Sequence, residues 1–237
     1  DPGVSHLQTA LNDYWSDRAV PYDDYQNRAE RRDLDRAAWT EIWSRALPAA
    51  PQRVLDLGTG SGYLARLLAD LGHEVTGTDL ADGMLERARH HAARMANPPR
   101  FAVGDAVEPD FPDASVDAVV NRYLMWTLRE PDRALRNWAR VLRPGGILAV
   151  VDSTWFPQGL TANATDQFRR AYAQAGPQLP LAEATDIEAT ATLIRAAGFT
   201  DVQVQPLTTL LDLDRQYGVA PGHEVQLQHL ITATRAS

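Results

Sequence analysis

The chain has 237 residues, 44% of them hydrophobic, a length that supports one globular domain with a core needing no covalent staples. It has no cysteine and its 23 basic residues are all arginine, which excludes disulfides, thiolate metal sites, cysteine nucleophiles and lysine Schiff bases. The formal net charge of −8 speaks against a nucleic-acid groove, where phosphate neutralisation supplies most non-specific affinity, and no apolar run is long enough to cross a bilayer.

Residues 1–47 read as helical and aromatic, with Tyr14, Trp15, Tyr22, Tyr25, Trp39 and Trp43; Leu34, Ala38, Ile42 and Ala46 give the second helix there its buried face. From residue 53 onward, short apolar runs alternate with helical periods, the pattern of βα units feeding a parallel sheet. Val54–Leu57 is a strand, and Leu64, Leu67, Leu68 and Leu71 place a helix after it, closed by Gly72. Glu74–Asp79 is the second strand, followed by a helix from near Asp82 with Met84, Leu85, Ala88 and Met95 on one face. Strands Arg100–Val103 and Val116–Asn121 come next. Pro131 opens a helix with Leu135, Trp138 and Leu142, stopped by Arg143-Pro144-Gly145-Gly146, and Ile147–Asp152 is a continuous apolar run of the kind buried on both faces of a sheet.

The pattern then loosens. Residues 153–185, with a helix around Asp166–Gln174, read as an inserted lid, and a capped helix over Asp186–Ala197 ends at Gly198. Val202–Leu207 and Val225–Ala233 are the last strands, joined by a connection too short for a helical crossover with its loops, so they pair antiparallel. The expected architecture is a single α/β domain, doubly wound, with a mostly parallel seven-stranded sheet and a final antiparallel strand. Residues 1–47 form a helical cap, 50–152 the core, 153–185 the lid and 186–237 the C-terminal helix and hairpin.

The segment Val54-Leu55-Asp56-Leu57-Gly58-Thr59-Gly60-Ser61-Gly62 carries the chemistry: a strand entering a glycine turn that opens a helix, where a ligand can lie against backbone N–H groups. It differs from the dinucleotide fingerprint, because the third glycine comes one residue early and Asp56 stands before the first. A carboxylate there repels a pyrophosphate. It suits a ligand with an ammonium and a sulfonium, and S-adenosylmethionine (SAM) has both. Asp79 ends the second strand nineteen residues after Gly60, where an acid reaches a ribose diol, and Asp105 ends the third strand on the same rim, within reach of an adenine amino group. Each acid also has a structural reading: Asp56 as a cap for the loop, Asp79 as a solvated strand end, and Asp105 as part of an acidic turn.

The run VLDLGTGSGYLARLLADLGHEVTGTDLADGML, then VGDA, then the strand to Asn121 and the RPGG turn, resembles the class I SAM-dependent methyltransferases, in the branch with ubiquinone- and menaquinone-pathway and natural-product enzymes. The resemblance spans roughly residues 50–152. It implies that Asp56, Gly58, Thr59, Gly60 and Gly62 hold the methionine part and Asp79 the ribose. Leu80 or Met84 would cover one adenine face, Asp105 and Ala106 the adenine edge, and Asn121 and Arg122 would flank the sulfonium. In that branch helices like the N-terminal ones close over the cofactor. The segment Asn121-Arg122-Tyr123-Leu124-Met125-Trp126 lacks the Asn/Asp-Pro-Pro-aromatic motif of nucleobase amino-methyltransferases, which sets base methylation aside.

The expected reaction is methyl transfer to a small-molecule acceptor at nitrogen, oxygen or an electron-rich carbon, with an aromatic or natural-product intermediate as the acceptor. The pocket for it draws on Tyr14, Tyr22, Tyr25, Trp126, Trp155 and Phe156. Where a base is required, Tyr123, Asp152, Asp23 or Asp24 are candidates. The six histidines lack metal spacing and no metal is expected. The expected setting is cytoplasmic, as a monomer or homodimer, without nucleic acid or membrane. The rivals are a macromolecular methyltransferase, which needs a basic or peptide-binding surface, a nicotinamide oxidoreductase, which needs the standard glycine spacing, and a SAM-binding protein without methyl transfer.

Overall fold

In the computed structural model, the described residues are 29–159, 166, 169, 170, 179–219 and 224–237. Among them one seven-stranded sheet has the order β3-β2-β1-β4-β5-β7-β6. The strands are β1 (Arg53–Leu57), β2 (Glu74–Asp79), β3 (Arg100–Val103), β4 (Val116–Arg122), β5 (Leu142–Asp152), β6 (Phe199–Pro206) and β7 (His229–Arg235). Pairings among β1 to β5 are parallel, and β7 runs antiparallel to both β5 and β6. This is the expected doubly wound sheet. The winding reverses between β1 and β4, which opens a crevice beyond their C-terminal ends, the usual ligand position in such sheets.

The helices are α1 (Arg32–Ala46), α2 (Tyr63–Asp70), α3 (Asp82–Ala92), α4 (Pro131–Val141), α5 (Glu188–Ala196) and α6 (Thr208–Tyr217). Strand side chains alternate between two apolar layers. Leu55, Leu57, Val119, Leu148 and Val150 face Leu135, Trp138 and Val141 of α4 and Ile194 of α5. Val54, Val75, Val120 and Val151 face Trp39 and Trp43 of α1, Leu64, Leu67 and Leu68 of α2, and Leu210 of α6. By the same alternation Asp56 and Arg122 belong to the α1–α2 face. Helix α2 stops where Gly72 takes a φ of +97° and His73 N–H reaches back to the Leu68 carbonyl at 3.1 Å.

The structure corrects four local readings. The buried face of α1 is Ala38, Trp39 and Trp43, while Leu34 is 48% exposed; the two tryptophans carry more apolar area than leucine and set the rotation of the helix. Met95 lies beyond the end of α3 at Ala92. Leu142 begins β5 rather than ending α4, and it pairs with Val116 before a register shift that absorbs the Pro-Gly-Gly turn. The connection from β6 to β7 does hold a helix, α6. The ends of these strands lie side by side, Pro206 opposite His229, so the connection has no crossover to span.

Of the expected lid only residues 153–159, 166, 169, 170 and 179–185 are described. Leu179, Leu181 and Ala182 are buried, with Leu181 in the α4 layer of the core. Among the described residues no helix is long and apolar enough to cross a membrane.

Candidate functional site

The loop after β1 is fixed by its own residues. The Thr59 N–H donates to the Thr78 carbonyl at 2.9 Å, and its hydroxyl donates to Asp56 Oδ2 at 2.7 Å. Its side chain lies against Gly77, where a β-carbon would stand 2.5 Å from Thr59 Oγ1. Asp79 accepts the Gly60 N–H at 2.8 Å and the Ala81 N–H at 2.9 Å, so the acid at the end of β2 also anchors the glycine turn. Gly60 and Gly62 both have positive φ, for different reasons. A β-carbon on Gly62 would meet the Phe101 ring at 2.8 Å and Ala88 at 3.1 Å, whereas one on Gly60 would meet nothing within 4 Å. Gly62 serves packing, and Gly60 keeps an open cradle where a ligand can approach the backbone.

A small open pocket at this crevice is lined by Asp56, Gly58, Thr59, Gly60, Ser61, Tyr63, Leu64, Arg122 and Tyr123. Asp56 is 1% exposed. Its burial pushes the carboxyl up to about 7, against the pull of the Thr59 hydroxyl and of Arg122. A buried acid of this kind is suited to a cationic partner. The guanidinium carbon of Arg122 lies 4.9 Å from the ring centroid of Tyr63 and 5.0 Å from those of Trp39 and Tyr123. Burial also raises Asp79, offset by the N–H groups of Ala81, Gly60 and Leu80.

The other expected cofactor residues border this crevice less closely. Leu80 is half-buried and Met84 buried. Asp105 is exposed at the end of β3 and caps the Val107 N–H at 2.9 Å, while the Ala106 carbonyl accepts the Trp138 indole at 2.7 Å. Asn121 is fully buried, and neither of its amide atoms has a hydrogen-bond partner in the structure.

The loops after β4 and β5 carry the expected aromatics. Tyr123 has a φ of +66°, a conformation rare for a bulky residue, and its hydroxyl donates to Gln228 Oε1 at 2.6 Å. It meets Trp155 edge-on at 5.2 Å, and Trp126 meets Phe156 in the same way at 5.2 Å. Asp152 is 1% exposed, and burial pushes its carboxyl up to about 7 against the N–H groups of Ser153, Trp155, Trp126 and Met125. Tyr14, Tyr22, Asp23, Asp24 and Tyr25 lie outside the described residues. No group of three potential ligands for a metal ion occurs among the described residues.

Sequence reasoning did not single out Ser61, Tyr63, Leu64, Trp39 or Gln228 for this site. Tyr63 opens α2 directly after the last glycine, a position that borders the pocket at the loop, and this signal was available. Trp39 and Gln228 arrive through tertiary packing from distant segments and have no local signature.

Residues 55–150 match the methyltransferase domain family. The chain is 32% identical over 186 residues to a demethylmenaquinone methyltransferase of Clavibacter sepedonicus, covering 72% of this chain and 75% of that protein. It is also 32% identical over 193 residues to a malonyl-[acyl-carrier protein] O-methyltransferase of Halorhodospira halophila, covering 78% of this chain and 63% of that one. A phosphoethanolamine N-methyltransferase 2 from Haemonchus contortus, solved with phosphomonomethylethanolamine and S-adenosylhomocysteine (SAH), shares the fold. Its TM-score is 0.62 at 21% identity, over 90% of this chain and 60% of that one. The chain belongs to the class I SAM-dependent methyltransferases, and its cofactor is SAM.

Proposed function

We propose that this methyltransferase acts on a small, flat or largely apolar acceptor at nitrogen, oxygen or an electron-rich carbon, without nucleic acid, as a monomer or homodimer. The observation that carries the reading is the placement of two aromatic pairs, Tyr123 with Trp155 and Trp126 with Phe156, on the loops that follow β4 and β5 beside the glycine crevice. Tyr14, Tyr22 and Tyr25 of the N-terminal cap are proposed to complete the acceptor pocket. The two relatives are named for demethylmenaquinone and for malonyl-[acyl-carrier protein], so the core they share with this chain is compatible with different acceptors. Acceptor choice is therefore assigned to the residues outside the core.

When bound, SAM supplies the electrophilic methyl on a sulfonium. Asp56 and the glycine loop would hold its amino-acid part, Asp79 the ribose, Leu80 or Met84 one adenine face, and Asp105 with Ala106 the adenine edge. Asn121 and Arg122, at the end of β4, would flank the sulfonium. The methyl would pass from the sulfonium to the acceptor, leaving SAH as the neutral thioether, and any proton on the acceptor would leave to a base or to water. Alignment of this kind lowers such barriers by ~7–11 kcal/mol. Tyr123 is engaged with Gln228 and Asp152 Oδ1 with Ser153 and Trp155, so both are read as positioning groups, while Asp152 Oδ2, buried with no hydrogen-bond partner, is the one oxygen of the two residues placed to take a proton. Acceptors that arrive as neutral amines or activated ring carbons need no buried base.

A screen of aromatic amines, phenols and indoles with SAM, read as SAH formation by mass spectrometry, tests the reading. With an acceptor found, Trp126→Ala and Trp155→Ala are expected to lower acceptor kcat/KM at least tenfold while SAH affinity stays within about twofold. Equal losses in both readouts would assign the tryptophans to the core and overturn the placement of the acceptor.

A further inference from the structure

We propose that Gln228 is the positioning residue for Tyr123, and that it carries the anchorage of α1 on α6 into the wall of the acceptor site. The proposal rests on the acceptor reading above and adds a residue to it. Tyr123 stands at a φ of +66°, a conformation that a bulky residue keeps only where its surroundings over-determine it. Two bonds do so. The Tyr123 N–H donates to the Val151 carbonyl at 2.9 Å, and the hydroxyl, at the far end of the ring, donates to Gln228 Oε1 at 2.6 Å.

Gln228 is itself fixed on several sides. It precedes β7 and is 7% exposed; its carbonyl accepts the Leu207 N–H at 2.8 Å, and the neighbouring Leu227 carbonyl accepts the Ser153 hydroxyl at 2.6 Å. Its side-chain amide bonds the Asp214 carboxylate of α6, offsetting the rise that burial gives that acid. A carboxylate only accepts, so the amide turns its N–H groups to Asp214 and its oxygen to Tyr123. Asp214 in turn accepts from Arg31 at 2.9 Å, and Arg31 donates at 2.7 Å to Asp35 in the first turn of α1. One line of bonds thus runs from Asp35 to the ring of Tyr123 through the buried side chains of Arg31, Asp214 and Gln228. Clamping α1 to α6 needs only Arg31 with its two acids. The further step through Gln228 acts on Tyr123, whose ring lines the crevice and meets Trp155 edge-on.

A double-mutant cycle between Tyr123→Phe and Gln228→Leu tests the assignment, read by near-ultraviolet tryptophan circular dichroism, by calorimetry with SAH and, for an acceptor found in the screen, by kcat/KM. Each single variant is expected to change the tryptophan signal, to lower acceptor kcat/KM about tenfold, the size of one hydrogen bond, and to leave SAH affinity within about twofold. The double variant is expected to lose no more than either single one, because both remove the same bond. Gln228→Glu keeps an oxygen for the Tyr123 hydroxyl and is expected to recover part of the loss. Where Gln228→Leu does not fold, Gln228→Asn, one methylene too short to reach the hydroxyl, takes its place in the cycle. Losses that multiply in the double variant, or a tryptophan signal unchanged in the Gln228 variant, overturn the proposal and leave Gln228 as packing at the start of β7. A tryptophan change shared by both variants without loss of turnover supports the link between Gln228 and Tyr123 and overturns the placement of the acceptor beside that ring.

Discussion

The indole Nε1 of Trp155 donates to Asp152 Oδ1 at 2.5 Å, and the Ser153 N–H donates to the same oxygen at 2.8 Å. A carboxylate held in this way positions the indole. Asp152→Asn preserves the shape and exchanges a charge-assisted bond for a neutral one, a loss of about 1–1.5 kcal/mol. The expected result is an approximately tenfold fall in acceptor kcat/KM with SAH affinity unchanged, accompanied by a change in near-ultraviolet tryptophan circular dichroism. A loss of about a thousandfold in kcat, with no change in the tryptophan signal, would instead mark Asp152 as the base.

Asp56 gives the cofactor affinity a direction with pH. Burial holds its carboxyl up to about 7, so below that pH the acid is protonated and must lose its proton to receive an ammonium. SAH affinity is expected to rise up to about tenfold per pH unit between pH 5 and 7 and then to level off. Calorimetry in buffers of different ionisation enthalpy should register close to one proton released at pH 5. The free protein moves the other way. With Asp56 and Asp152 both raised to about 7, the folded state binds more protons than the unfolded chain between pH 4 and 7, and stability falls as pH rises through that window. Each group accounts for up to about 4 kcal/mol. Urea denaturation at pH 5 and pH 7.5 measures the net of these two acids with Asp79 and Asp214, which burial also raises, and with His73 and His229, which burial lowers and which act in the opposite sense; the acids are expected to dominate, and a higher midpoint at pH 7.5 would contradict it.

The two glycines separate packing from binding. Gly62→Ala forces a β-carbon against the Phe101 ring and Ala88 in addition to its strained φ, and a loss of about 2–4 kcal/mol of stability is expected. Gly60→Ala carries the φ penalty alone, about 1–2 kcal/mol, but fills the cradle, so SAH binding falls while the fold persists. Thermal melts with and without SAH distinguish them: only Gly62→Ala should melt much earlier in the absence of ligand.

Arg31 ties α1 to α6. Its guanidinium donates to Asp35 at 2.7 Å, to Asp214 at 2.9 Å and to the Gly218 carbonyl at 2.9 Å, with under a tenth of its side chain exposed. Removing one partner of a buried set leaves charges uncompensated, so Arg31→Ala is expected to lower stability by about 3–5 kcal/mol in urea denaturation. Asp35→Asn should matter far less, because Arg31 keeps Asp214. A small effect of Arg31→Ala would show that water replaces the guanidinium.

The part of the site written in the sequence is the part carried by local geometry. Asp56, the three glycines and Asp79 sit at fixed offsets along one strand, turn, helix and strand, and the structure brings them together as Asp79 bonded to Gly60 and Thr59 bonded to Asp56. The strands themselves were legible for the same reason, each being an apolar run bounded by turn residues, whereas their order in the sheet was not, because it is set by pairing between distant segments. Arg122 was visible as a residue but not as part of an aromatic frame, since Trp39 reaches it from another helix. Helix α6 is not legible in the sequence because the apolar runs Val202–Leu207 and Val225–Ala233 extend past the true strand ends and leave a shorter connection than the structure has. Tertiary packing sets those ends: Phe199 begins β6 and His229 begins β7 where they pair with neighbours, not where the apolar run starts.

The strand order has a consequence for the order in which the protein can assemble. β7 follows β6 in the chain yet lies between β5 and β6, pairing with both. As the chain leaves the ribosome, β1 to β5 can zip together in parallel while β6 has no neighbour in the sheet to join. Ile231 and Ala233 arrive last and close the α4 layer around Leu148 and Val150. A nascent chain stalled before His229 would therefore present an open edge at β5 and an unattached β6, a state suited to capture by another copy or by a chaperone.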